Sequence, residues 1–364
     1  MLSSVPRPAH LALTRRGVLG AGAAAAGLAL AACADEAPAP AGSAAAAPSA
    51  EPSAAPSAAP SEMSDEAIAP LEGGRAVTIR TCVYANNHAS SMLFWQQFAP
   101  EGVTIEVTPV TNTADIIAGL EGGTLDFGLM SPYVPMLTQP TGGFTSKVVA
   151  MVARQGFGLI GAAGSVATVA DLKGKKVAVP PPGAQVLVLG LLLEEAGLVL
   201  GTDVEGVPLG YADHVAALAA GQVDAFMGSE PPCSQAVVDG TGVRLPGVYD
   251  TALGDLNTAL WASGTILGDP EVVSLVTKLQ KRAAEYMTPD GVNDPQVWRE
   301  LLVDSFGFDE AVYEEVLGTV GAQWTFDEVR ESQFQAVGAA LVETGELPAQ
   351  PDYEALYARE YWDV

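Results

Sequence analysis

The sequence predicts an α/β protein in which mostly parallel sheets are flanked by helices and a helical region closes the C-terminus. Three observations predict it. Short apolar runs alternate with helix-length amphipathic stretches from residue 76 to about 228, the pattern of βαβ units. Beyond about Thr265 the apolar spacing is helical. One pattern is also written twice, as "AGLEGGTLDFGLMS" at 118–131 and "AALAAGQVDAFMGS" at 216–229.

The elements follow in order. At the start, "LTRRGVLGAGAAAAGLALAAC" has the basic pair Arg15 and Arg16, an uncharged stretch from Gly17 to Ala32, and then Cys33. That order is an export signal rather than fold. Paired arginines suit the twin-arginine route, although a general secretory signal can carry two as well. Leu30-Ala31-Ala32-Cys33 resembles a bacterial lipoprotein box, with residues 1–32 removed and Cys33 lipidated; an uncleaved signal anchor is the other reading. Residues 33–73 are almost wholly Ala, Pro, Ser and acid. They hold too little branched or aromatic surface to offset ordering entropy, so a disordered tether is expected there.

Charge narrows the function classes. The chain carries −26 formally, and removing residues 1–32 takes away three arginines and no acid, leaving −29. Nucleic acid and anionic headgroups are poor partners for such a surface. Cys82 and Cys233 are the cysteines after Cys33; either they pair in an oxidising compartment or they are two buried free thiols. No CxxC pair or His/Cys cluster points to a metal, and no cofactor is expected.

Strands are predicted at 76–85, 103–110, 125–130, 147–153, 157–162, 175–180, 203–209 and 223–228, with helices at 90–99, 114–123, 184–197 and 213–221. Asp269-Pro270 places a cap and a first-turn proline before Val272, Leu275, Val276, Leu279 and Ala283, apolar at spacings of 3 and 4. "TFDE" at 325–328 reads as a capping box opening the next long helix.

The doubled pattern has a physical grammar. In each copy a helix stops at a glycine, Gly123 or Gly221, and Asp126 or Asp224 opens a short buried strand. Each strand ends at a serine, Ser131 or Ser229, with proline close behind, a signal for a helix N-terminus. Amides there point past the C-terminal strand ends, where open α/β sheets bind ligands. Two copies therefore predict two sheets able to hold one small molecule between them. The same grammar is also ordinary α/β construction.

"DLKGKKVAVPPPGAQ" (171–185), "EPPCSQAV" (230–237), "VYANNHASSML" (83–93) and "ALVETGELPAQPDY" (340–353) together resemble the bacterial solute-binding proteins for sulfonates, nitrate, taurine and thiamine pyrimidine precursors. The resemblance implies a two-lobed periplasmic binding protein of type II serving an ABC importer. Lobe 1 would take 74–160 with 258–364 and lobe 2 would take 161–257, the hinge being crossed near 155–168 and again near 250–262. It also implies a small-molecule ligand, pyrimidine- or aromatic-like or a sulfonate. Permease and ATPase partners, a lipid anchor on the outer face of the membrane, and a monomer follow from it.

The same resemblance supplies a candidate ligand set. Asn86, Asn87 and His88 match the first ligand loop, His88 donating to ligand or capping a helix. Asn112 and Thr113 cap the next helix, touch ligand, or do both; Ser131 and Tyr133 stand at the first repeat's mouth, Tyr133 stacking on ligand or packing. Gly183, Ala184 and Gln185 occupy a polar-group loop that here lacks the hydroxyl residue relatives often carry. Ser229 stands where many relatives have a large aromatic. Glu230 offers a carboxylate to an amino or amidine group or complements a helix start; Asn257 and Trp261 offer one polar and one flat contact. Arg154 pairs with an anionic ligand or with an acid of the other lobe.

The superfamily also contains a fungal pyrimidine-synthesising enzyme, which needs a cofactor lysine and a reactive histidine in one pocket. Lys147, Lys173, Lys175 and Lys176 are assigned to strand starts or an exposed turn, and no G-x-S-x-G, H-E-x-x-H or phosphate loop occurs. A non-enzyme is expected, with a tethered sensor or protein-interaction lobe as the alternative to transport.

Overall fold

The computed structural model describes residues 67–180 and 183–363. The expected signal, Cys33 and most of the expected tether lie outside them. Along the chain come β1 (Val77–Tyr84), α1 (Trp95–Phe98), β2 (Val103–Val110), α2 (Thr113–Glu121), β3 (Phe127–Met130), α3 (Tyr133–Thr138) and β4 (Lys147–Gln155). Next are β5 (Phe157–Ala162), β6 (Lys176–Val179), α4 (Ala184–Glu195), β7 (Glu205–Pro208), α5 (His214–Ala219), β8 (Ala225–Ser229), α6 (Pro232–Val238) and β9 (Gly242–Arg244). The last third holds β10 (Leu256–Ala262), α7 (Pro270–Met287), α8 (Pro295–Arg299), α9 (Glu310–Val316), β11 (Val320–Ala322), α10 (Glu328–Glu343) and α11 (Tyr353–Leu356).

The sheets are mixed rather than mostly parallel. β1 and β2 pair in parallel. A second sheet, ordered β11-β4-β10-β3, is antiparallel throughout. The third, β7-β6-β8-β5-β9, is parallel across β7, β6 and β8 and antiparallel at β5 and β9. The antiparallel members arise because β4 and β5 are nearly continuous, so the chain enters the third sheet from its far end. Gly156 is the sole residue between them, and the return runs between β9 and β10.

The doubled pattern resolves into one device used twice. The Asp126 amide donates to Arg80 O (2.8 Å) while the Arg80 amide donates to the Asp126 carboxylate (2.8 Å). Asp224 repeats both bonds with Lys176, at 2.8 and 2.9 Å. On the other side, the amides of Ser263 and Ala162 donate to Asp126 O and Asp224 O. Each aspartate thus clips a parallel strand to the chain at the end of an antiparallel one, and the left-handed Gly123 and Gly221 bring the chain to it. Arg80 adds guanidinium bonds to Asp126 at 2.6 and 3.0 Å, and Lys175 reaches Asp224 at 3.2 Å. The Asp126 side chain is 10% exposed and that of Asp224 33%. Asp126→Ala should therefore lower unfolding free energy by about 3 kcal/mol and Asp224→Ala by about 1, as urea melts would report.

Several boundaries differ from expectation. Leu71 is buried, so packing begins inside the segment assigned to the tether. The long helix α10 is capped by Asp327, which accepts from the Arg330 amide, rather than by Thr325. Neither Ser131 nor Ser229 caps a helix: α3 and α6 start after Pro132 and Pro231, which have no side-chain cap bond to give. The region after Thr265 is not wholly helical, because β11 completes the edge of the second sheet. β10 is the largest omission. Every residue of "LNTALWA" is buried in a strand that is central to its sheet and covered on both faces, and without alternation it carried no strand signature. Asp269 caps α7 as expected, and Cys82 and Cys233 are buried free thiols.

Candidate functional site

The loops that follow β1 and β8 meet, and the seam between them is the candidate site. The loop after β1 reaches the loop after β8 through His88, whose Nδ1 faces Glu230 O at 3.4 Å. Its Nε2 accepts from Asn257 Nδ2 at 3.1 Å. That pattern requires a neutral ring protonated on Nδ1. Burial holds the His88 pKa down to about 4, against a weaker upward pull from Glu230 O.

Several expected ligand contacts are already committed to the protein. Glu230 is fully buried; its carboxylate accepts from Arg244 (2.5 Å), Thr319 Oγ1 (3.0 Å) and the Ser234 amide (3.0 Å). The helix-start role anticipated for it is thus filled by the Ser234 bond, and Arg244 also reaches Glu315 at 3.3 Å. Asn257 donates to both His88 and Gln155 O. Trp261 is fully buried, donates to Met130 O and packs edge-on against Phe144, so it is core rather than a flat ligand contact. Tyr133 is buried with its hydroxyl on Glu346. Asn112 caps α2 through the Asp115 amide, and Asn87 Oδ1 accepts from the Ala89 amide. Arg154 donates to Gly291 O.

What remains is a smaller polar set. Asn86 is exposed in a left-handed conformation, and Ser131 and Gln185 are half-buried. Gly183 and Ala184 are buried at the start of α4. Ser229 is 7% exposed and lies opposite Phe157. Ala259 lies opposite Met130, and continuing that register puts Ser131 beside Thr258. The Thr258 hydroxyl is buried and has no partner among the described residues. Both serines thus flank the His88–Asn257–Glu230 contacts.

Two residues missing from the expected set belong to the seam. Tyr84 ends β1 and its hydroxyl meets Thr113 Oγ1 at 2.8 Å. Tyr211 follows β7, and burial raises its phenol pKa, with nearby Tyr84 and Cys233 pushing the same way. Tyr211 had a positional signal, since it follows a parallel strand just as Asn112 follows β2; Tyr84 is the last residue of its strand and had none.

Of the guanidinium groups beside these loops, Arg244 is neutralised by Glu230 and Glu315, while Arg154 donates to the carbonyl of Gly291. No His, Cys, Asp and Glu side chains cluster to hold a metal ion among the described residues. A hollow of about 420 Å³ lies elsewhere, against β2 and α2, lined by Thr108, Val110, Asp115 and Leu125. Another of about 210 Å³ is lined by Thr288, Asp290, Gln323 and Trp324. No described helix is long and apolar enough to cross a membrane.

Residues 93–253 match the NMT1-like family model. A Brucella abortus (strain 2308) protein named only as a binding protein is 31% identical over 146 residues, which are 38% of this chain and 41% of that protein. The match thus spans about two fifths of the relative's length. The fold is that of solved solute-binding proteins. A ligand-binding component of an ABC-type import system from Staphylococcus aureus aligns with TM-score 0.67 at 16% identity, over 78% of this chain and 97% of its own. The alkanesulfonate-binding protein of Xanthomonas axonopodis pv. citri gives 0.63 at 22%, over 78% and 98%. The nitrate-binding protein of Synechocystis PCC 6803 gives 0.64 at 16%, over 81% and 88%.

Proposed function

We propose, from the premise that this chain joins an NMT1-like segment to the fold of ABC-type solute-binding proteins, that it captures a small organic solute in the seam and delivers it to a membrane permease and its ATPase. On this reading the lobes expected as 74–160 with 258–364 and as 161–257 are redrawn at the strand boundaries, 74–156 with 256–364 forming one and 157–244 the other. Export through the N-terminal signal and lipidation at Cys33 hold the protein outside the cell by its tether. Ligand favours the closed arrangement of the lobes because it touches both, and the closed form docks.

One observation carries the ligand class: the seam offers hydroxyls, amides and two phenols, while Arg244 is neutralised by acids and Arg154 is engaged by the Gly291 carbonyl. An anion there would find no uncommitted cation among these residues, so an uncharged pyrimidine-like or aromatic solute is favoured over a sulfonate or nitrate. Phenol faces supply stacking area, and Ser131, Ser229, Gln185 and Thr258 supply hydrogen bonds.

A thermal-shift screen of the purified chain against sulfonates, nitrate, pyrimidines, flavins and aromatic acids tests this. A ligand at 100 times its Kd adds about 2.7 kcal/mol, and the uncharged ring compounds are expected to give the shift. Ser131→Leu and Ser229→Val should each weaken binding at least tenfold with unfolding little changed. Unchanged affinity in both would remove the ligand from the seam, and stabilisation by nitrate or sulfonates alone would overturn the uncharged class.

A further inference from the structure

We propose that the Gln155–Gly156 crossover is the hinge of this protein, that His88 is the wedge holding it in its closed setting, and that acid releases it by charging the wedge. The proposal rests on the two-lobed reading above but not on the identity of any ligand.

The crossover is conformationally unusual and fully bonded. Gln155 and Gly156 are consecutive left-handed residues, with φ of 57° and 77°. The Gln155 amide donates to Asp255 O (2.7 Å) and the Gly156 amide to Thr319 O (2.8 Å). Gly156 O accepts from the Glu230 amide (2.9 Å), and Gln155 O accepts from Asn257 Nδ2. Partners from both sides of the seam thus converge on two residues.

His88 is seated on this point. A Cβ on Gly156 would fall 1.9 Å from His88 Nε2, so the imidazole fills the space that a side chain would occupy. The ring is 2% exposed. It spans the seam by donating to Glu230 O and accepting from Asn257, the same amide that holds Gln155 O. A second ring proton would point at Asn257 Nδ2, donor against donor. Turning the amide to offer its oxygen would strip Gln155 O of its partner. Either way the crossover loses a bond.

No neighbouring charge compensates. The titratable and charged groups on the elements packed around the ring are Glu230 after β8, Arg244 on β9, Glu315 on α9, Arg154 on β4 and Asp255 before β10. Glu230 and Glu315 face Arg244, Arg154 reaches Gly291 O, and Asp255 pairs with Arg330. Cys233 and Tyr249 nearby are held protonated by burial.

The sign follows from these contacts. Burial holds closed-state His88 at about 4 against an ordinary 6.5, so the neutral ring's contribution is complete above pH 6.5. It is lost as pH falls from 6.5 toward 4, at about tenfold in the open-to-closed ratio per pH unit.

The test is amide hydrogen exchange at Gly156 and Glu230 in the full-length chain without ligand, from pH 7.5 to 4.5, with rates normalised to unstructured peptides. Protection at both amides should fall about tenfold per unit below pH 6 in the parent protein and stay flat in His88→Gln. An equal fall in H88Q, or no fall in the parent, would overturn the proposal. If H88Q does not fold, the His88 ring titration in the parent decides. A depressed midpoint that tracks loss of protection supports the wedge, and a midpoint near 6.5 with protection intact refutes it. Neither readout involves ligand, so a failed solute screen and a failed wedge are separate results.

Discussion

Gly156→Ala is expected to lower the unfolding free energy by about 3 kcal/mol. Left-handed backbone costs an alanine about 1–2 kcal/mol, and overpacking a filled site costs about 1–3 more. Both conditions hold here, with φ at +77° and His88 Nε2, Cε1 and Cδ2 at 1.9, 2.2 and 2.5 Å from the added carbon. The ring cannot swing aside without leaving Glu230 O and Asn257. Urea unfolding at pH 7.5 measures the loss. The double variant Gly156→Ala/His88→Ala should recover at least 1 kcal/mol relative to the sum of the single variants, because the clash has lost its partner. A Gly156→Ala protein within 1 kcal/mol of the parent would show that His88 is not wedged there.

Glu230→Ala should cost about 3–5 kcal/mol, the loss expected when one member of a buried ion pair is removed. The Glu230 side chain is fully buried and Arg244's is 26% exposed. Truncation leaves that guanidinium with Ser234 Oγ and the more exposed Glu315, and leaves Thr319 Oγ1 with only Val316 O. Glu315→Ala, by contrast, removes a partner that is 36% exposed and should cost less than 1 kcal/mol. Denaturant melts of the two variants separate a structural carboxylate from one reserved for ligand. A ligand-facing Glu230 would leave stability unchanged and abolish only binding.

These two residues also mark how far the sequence could be read. β2 has the bounds expected of it, α4 starts at Ala184 as expected, and α7 starts where the Asp-Pro cap puts it. The doubled pattern was visible as two helix–glycine–aspartate–strand units, and both units are present in the structure. The aspartates' role was not visible. Arg80 is 46 residues from Asp126 and Lys176 is 48 from Asp224, and only sheet assembly brings those pairs together. β10 went unread for a related reason: a strand covered on both faces has no alternation to betray it.

The candidate site divides in the same way. The family resemblance together with strand-end position brought Asn86, Ser131, Gln185 and Ser229 to consideration; Tyr211 also follows a strand, whereas Tyr84 ends one. Whether a polar atom is still available to a ligand was settled elsewhere in the chain. His88 meets Glu230 across 142 residues and Asn257 across 169, and Tyr133 is tied to Glu346 across 213.

The sequence by itself determined the kinds of element, their order, and which loops lie at strand ends, because hydrophobic period, caps and turn residues act over a few positions. Only the tertiary structure decided which of those loops' side chains are already spent. A buried donor or acceptor must find a partner wherever the fold supplies one, and for His88, Asn257 and Tyr133 that partner stands more than a hundred residues away.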